Sequence, residues 1–192
     1  MATHQAPEIR RAQILEAAQS CFGKTGYHKT TMDDIVRATG LSKGALYWHF
    51  KSKDEIFIAL FDQFDREIFA AWDDLPDTSA LETLRLDAEI VLGALLRDRS
   101  LVEMWSEFLK HPLARDRFAL IYERSRERLA HTIQKGIEAR EIAPCDALHA
   151  AATLTASIEG LLLQALVDPG FDALAAWPTT WKILSLGMTP NT

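Results

Sequence analysis

Apolar residues recur three and four positions apart along almost the whole chain, without strict alternation and without an internal repeat, so the sequence predicts an all-α protein. Ile14, Ala17, Ala18, Cys21 and Phe22 mark the buried face of a first helix, and Gly26 stands just past it as a left-handed stop. Thr30 or Thr31 caps a second helix that carries Asp33 and Asp34 in its first turn, where the helix dipole favours acids, and Gly40 ends it. Ser42 caps a very short third helix reaching about Trp48. Ser52 opens a long fourth helix, over about residues 53–73, through Ser52-Lys53-Asp54-Glu55; its stripe is Ile56, Leu60, Phe61, Phe64, Ile68, Phe69 and Trp72.

The remainder continues in the same period. Leu81, Leu84, Ala88, Val91, Leu92 and Leu95 define a fifth helix, Leu101 to Leu109 a sixth that halts before Pro112, and Phe118, Ile121, Tyr122, Leu129, Ile133 and Ile137 a seventh. An eighth runs from about Asp146 to Val167, where Asp168-Pro169-Gly170 breaks it, and the last extends to about Gly187. Pro178 falls inside that last segment and either kinks it or begins it. The functional division expected is a three-helix helix-turn-helix domain over residues 1–53, a connecting fourth helix, and a helical ligand-binding and dimerisation domain over residues 54–192.

The stretch from Thr31 to Lys53 is the most informative. Two helices joined by a tight turn containing Gly40 form a helix-turn-helix, a unit whose second helix enters the major groove of DNA. Ile35, Ala38, Leu41, Leu46 and Phe50 supply an inner side that holds the two helices at a fixed angle. Thr31, Ser42, Lys43, Tyr47, Trp48, His49, Lys51 and Lys53 face outward with hydroxyls, charges and rings suited to phosphates and base edges, and Gly44 permits close backbone approach. Lys24, Lys29 and His28 stand at the edge of that surface.

The net charge of −6 argues against a polyanion binder until its distribution is seen. Residues 1–53 hold eight lysines and arginines against four acids, whereas residues 54–192 hold 13 against 23, so a basic head sits on an acidic body. The two cysteines, Cys21 and Cys145, are far apart in no paired motif, which suits a reducing compartment. The N-terminal residues lack the apolar run of a signal peptide, and no stretch approaches about 18 uncharged apolar residues, so a cytoplasmic protein without membrane contact is expected. The six histidines (His4, His28, His49, His111, His131, His149) are scattered, and no nucleophile elbow, phosphate loop or metal-ligand spacing occurs. Neither an enzyme nor a metal or cofactor protein is expected.

Ile14-Leu15-Glu16-Ala17-Ala18, Phe22, Gly26-Tyr27, Thr30-Thr31-Met32-Asp33-Asp34-Ile35, Ala38-Thr39-Gly40-Leu41-Ser42-Lys43-Gly44-Ala45-Leu46-Tyr47, His49-Phe50 and Ser52-Lys53 together resemble the N-terminal signature of the TetR family. The resemblance covers roughly the first sixty residues. It implies a ligand-responsive repressor of nine or ten helices that dimerises through its last two. It also implies DNA contacts at Thr31, Ser42, Lys43, Tyr47, His49 and Lys53, with Tyr47 and Lys53 on phosphates and Lys43 and Gly44 nearer the bases. The run from Ala156 to Pro169 is similar to the penultimate helix of many members.

A helix-turn-helix dimer reaches successive major grooves of a palindromic operator. The eighth helix offers a wide apolar surface with small residues, Leu148 among its members, and the expected interface comprises Leu154, Ile158, Leu161, Leu162 and Ala165 with Trp177, Trp181, Leu184 and Leu186. A small lipophilic or aromatic effector of unknown identity is expected among helices four to eight, against Phe64, Trp72, Trp105, Phe108, Tyr122 and Gln164. Glu103, Glu107, His111 and His131 are further polar candidates, and acids beside aromatics would suit a cationic lipophile. An activator of the same family and an architectural DNA-binding protein are the alternative readings.

Overall fold

The computed structural model describes residues 7–97 and 99–190; residues 1–6, His4 among them, lie outside the described residues. The described residues form nine α-helices and no strand: α1 (Pro7–Thr25), α2 (Met32–Thr39), α3 (Lys43–His49), α4 (Lys53–Asp73), α5 (Ala80–Leu96), α6 (Arg99–Lys110), α7 (Arg115–Glu138), α8 (Ala147–Val167) and α9 (Ala173–Met188), with a short 3-10 turn at Pro112–Ala114. The ends follow from local chemistry. Gly26 and Gly40 adopt φ of +80° and +67°, the left-handed conformation that glycine takes without strain and that closes α1 and α2. Of the two threonines that could cap α2, Thr31 does so and Thr30 is buried, its hydroxyl donating to the Gly26 carbonyl at 2.8 Å. Ser52 accepts from the Glu55 amide at 3.1 Å, while the Glu55 carboxylate reaches the Lys51 amide at 2.6 Å, one residue earlier than a reciprocal capping box. Asp172 caps α9, so Pro178 lies inside that helix and does not begin it.

The chain divides into two compact units. One comprises residues up to Arg66 together with Arg99–Arg115; the other comprises Glu67–Asp98 and residues from Asp116 onward. In the first, α1 packs on α2 and on α6, and Phe57 gathers a ring cluster with Phe22 (5.7 Å), Tyr27 (4.3 Å) and Phe108 (4.3 Å). Ile14, Ile35, Leu46 and Phe50 are buried there as the stripe requires. Ala38, expected inside, is exposed; Thr39 is buried in its place, because Ile35 shares its inward face with the residue four positions on.

In the second unit Leu84, Leu129, Ala130, Ile133, Ile142, Ala151 and Leu154 form a core against which Trp181, Leu184 and Met188 of α9 pack. Gly136 near the end of α7 is required sterically: an added Cβ would lie 2.7 Å from Ile142 Cδ1 and 2.8 Å from Ala80 Cβ. Gly136→Ala is therefore expected to cost about 1–3 kcal/mol, read as a lowered urea midpoint at unchanged slope. One helix is more apolar than the sequence reading anticipated: α8 is long and apolar enough, by length and composition alone, to cross a membrane. It carries Glu159, and it buries Ala151, Leu154, Ile158, Leu161 and Leu162 within the protein while Leu148, Leu163 and Val167 stay exposed.

Candidate nucleic-acid interface

The two helices of the turn are held by their caps. The Asp34 amide donates to Thr31 Oγ1 at 3.2 Å and the Thr31 amide to Asp34 Oδ2 at 2.8 Å, and these Thr31 bonds, with Arg37 as a lesser contributor, hold the Asp34 carboxyl below the ordinary range. The Gly40 amide closes α2 on the Val36 carbonyl at 3.2 Å, and Gln13 of α1 donates to the Thr39 carbonyl at 3.0 Å, fastening the turn to the helix behind it. Ser42 Oγ accepts from the Ala45 amide at 3.2 Å, which starts α3 and leaves the Ser42 hydroxyl hydrogen to donate outward. Leu46 and Phe50 then anchor the inner side of α3 in the core.

The outer side carries most of the expected residues. Thr31, Ser42, Lys43, Gly44, Trp48 and Lys51 are exposed, and Tyr47 and His49 are half-buried. Lys43 Nζ lies 2.8 Å from Asp33 Oδ1, an exposed pair that pushes the ammonium pKa up. Burial pulls the His49 pKa down, aided by Arg11 and Arg10. Those two arginines were missed by the sequence reading although they form a basic pair one turn ahead of Ile14; the Arg11 guanidinium lies 5.0 Å over the Phe50 ring. Two lysines expected on phosphates bond backbone carbonyls of their own chain. Lys51 Nζ donates to the Tyr47 carbonyl at 2.8 Å. Lys53 Nζ donates to the carbonyls of Tyr27 (2.7 Å), Thr30 (2.9 Å) and His28 (3.3 Å) and sits 4.3 Å over the Tyr27 ring, so it braces the loop between α1 and α2 with all three of its donors.

The family model described as bacterial regulatory proteins, tetR family, matches residues 14–60, and that described as BetI-type transcriptional repressor, C-terminal, matches residues 96–179. The chain belongs to the TetR family of bacterial transcriptional regulators. It is 45% identical to the transcriptional regulator TtgR of Pseudomonas putida over 60 residues, 31% of this chain but only 29% of TtgR's length. It is 28% identical to the repressor KstR2 of Mycobacterium tuberculosis over 134 residues, 67% of each chain. Among solved structures, the choline complex of a transcriptional regulator from Saccharomonospora viridis superposes with a TM-score of 0.84 at 26% identity, over 96% of this chain and 100% of the other.

The six residues expected to hold an effector in this TetR-family chain fall in both units. Phe64, Trp105 and Phe108 belong to the first unit, where Phe108 is 2% exposed and fills the core between Phe57 (4.3 Å) and Phe61 (4.7 Å). Trp72, Tyr122 and Gln164 belong to the second. Gln164 is exposed, its amide folded back on the Gly160 carbonyl at 3.3 Å. Trp72 is buried and donates through Nε1 to the Asp87 carbonyl at 3.1 Å, and the Tyr122 hydroxyl donates to Glu159.

Two acids in that unit, Asp87 buried and Glu159 half-buried, escaped the sequence reading. Asp87, 2% exposed, pairs with Arg128 at 3.3 Å, and burial raises its carboxyl pKa against the pull of that guanidinium. Burial likewise raises the carboxyl of Glu159, which is met by the Tyr122 hydroxyl. The available signal was position: Asp87 lies three residues after Leu84, and Glu159 three before Leu162, so each acid stands on its helix's apolar stripe.

The residues expected at the dimer interface contribute to the protomer itself. Leu154, Ile158, Leu161, Leu162 and Trp177 are at most 8% exposed in the single chain, and Ala165, Trp181 and Leu184 are half-buried, so these side chains already close the protomer's own core. The apolar side chains that α8 and α9 leave uncovered are Leu148 and Leu186, both expected on that face, together with Leu163, Val167, Leu174 and Ile183, each 49–76% exposed.

Proposed function

We propose that this chain is a cytoplasmic repressor that acts by binding, as a homodimer, a palindromic operator, and that a small organic cation releases it. The observation that carries the reading is the capped α2–Gly40–α3 unit, whose inner side is pinned by Ile35, Leu46 and Phe50 while Ser42, Lys43, Gly44 and Trp48 remain exposed on a basic head. Selection of duplexes from a random library, followed by footprinting, tests it. Protection of one short palindrome is the expected result; uniform coverage would favour the architectural alternative and overturn the reading.

The dimer supplies the two-fold symmetry of such a site. Six large apolar side chains exposed on α8 and α9 favour burial against a second copy, and Gly160, where an added Cβ would meet nothing of this chain within 4 Å, keeps the middle of α8 low enough for a partner helix to approach. The same exposed face explains why α8 combines a membrane-like composition with a place in a protein core.

For the effector, the BetI-type match over α6–α9 and the choline bound by the Saccharomonospora viridis protein agree in kind with this chain's own chemistry. Glu159 is a half-buried carboxylate beside Tyr122, whose ring lies 5.8 Å from that of Phe118. Aromatic faces with one partly desolvated carboxylate attract a quaternary ammonium. Arg128 compensates Asp87, which leaves Glu159 the better charge for a ligand. Choline is expected to quench tryptophan fluorescence and release the palindrome, and its uncharged tert-butyl isostere to do neither. Glu159→Gln is expected to raise the choline required by about fivefold, the worth of one partly screened charge pair. An unchanged choline response in a folded Glu159→Gln protein would remove Glu159 from the site.

A further inference from the structure

Two residues on the outer side of α3 lack a reason inside the chain. Gly44 has no left-handed φ, and an added Cβ would meet no atom within 4 Å, so neither conformation nor packing calls for glycine there. Glycine is disfavoured in a helix relative to alanine, which would fit. Trp48 stands four residues later, hence on the same helical face, and is 67% exposed, with its indole held edge-on against the His49 ring at 4.6 Å. Beside them Ser42 caps the helix with its hydroxyl hydrogen still free to donate, and Lys43 is paired with Asp33 at 2.8 Å.

Both anomalies disappear if this face lies against a surface that comes close at Gly44 and is apolar at Trp48. In a major groove the apolar feature is the thymine 5-methyl group. We propose that Gly44 and Trp48 form the apolar half of the reading surface: Gly44 lets α3 approach the groove floor, and Trp48 packs on a thymine methyl, fixing a T·A pair at one position of each half-site. Guanine readout by Lys43 at that position is the competing chemistry, and it requires the ammonium to leave Asp33.

This inference rests on the proposal that the head binds an operator, and the experiment separates the two. The probe is the palindromic duplex that the wild-type protein selects from a random library, resynthesised with one symmetry-related thymine pair at a time replaced by deoxyuridine, which removes the methyl and nothing else. One such pair is expected to weaken wild-type binding by about tenfold, the effect of withdrawing one methyl from apolar contact in each half-site. For Trp48→Ala the same replacement is expected to have no effect, while Trp48→Phe retains part of it. Gly44→Ala is expected to bind about tenfold more weakly while melting no lower than wild type. Deoxyuridine tolerated at every position, an undiminished methyl effect in Trp48→Ala, or wild-type affinity in Gly44→Ala would overturn the assignment and leave operator binding standing. Failure to enrich any palindrome would overturn both.

Discussion

Replacing Leu163 and Ile183 together by glutamate is expected to turn the protein into a monomer in sedimentation velocity and to lower its affinity for the selected palindrome by at least about 100-fold, the loss that accompanies conversion of a bivalent grip into two independent ones. The two positions are chosen from the surface, not from the core. Leu163 is 55% exposed on α8 and Ile183 67% exposed on α9, so neither side chain contributes much to the folded protomer, and surface changes of this kind leave stability within about 0.5 kcal/mol. The melting temperature of the monomeric variant, extrapolated to low protein concentration, should therefore match that of the wild type. Four like charges brought together across a two-fold axis would repel and carry a desolvation cost that no partner offsets. Leu162→Glu, one residue away, makes the contrast: Leu162 is 1% exposed, and its replacement is expected to unfold the protomer instead of merely separating two of them. A double variant that remained dimeric would place the interface elsewhere on the molecule.

That contrast also marks what a sequence can disclose. The caps at Thr31 and Ser42, the stops at Gly26 and Gly40 and the helical stripes are written in short-range chemistry, each residue acting on a neighbour three or four positions away, and the structure forms the helices they predict. The helix-turn-helix was legible for the same reason. An apolar run such as Gly160-Leu161-Leu162-Leu163 is legible as a helix too, yet it does not state which of its sides meets its own chain; Leu161 and Leu162 turn inward and Leu163 outward. Lys53 read as a free basic group because the three carbonyls that hold it, from Tyr27, His28 and Thr30, lie over twenty residues away in sequence. Phe108 read as a ligand candidate because an aromatic stripe does not state what its rings meet; α6 packs on α1 and lends that ring to the core of the N-terminal unit.

Phe108→Ala is accordingly expected to act on folding and not on effector recognition. A ring 2% exposed, packed at 4.3 Å on Phe57 and 4.7 Å on Phe61, leaves a cavity when truncated, and such truncations cost about 3–5 kcal/mol. For a unit of this size the melting temperature is expected to fall by more than about 10 °C. Operator affinity would fall with it although Phe108 lies far along the chain from the helix-turn-helix, since Phe57 is shared with Phe22 and Tyr27 at the root of that motif. Phe108→Leu keeps the site apolar and most of its volume, so it is expected to recover more than half of the lost stability. The alternative, a pocket wall, makes the opposite forecast: the truncated protein would melt as the wild type does, bind the palindrome normally, and need more choline for release. Thermal unfolding of the two variants, measured with and without choline, decides between a ring that holds the head together and a ring that meets a ligand.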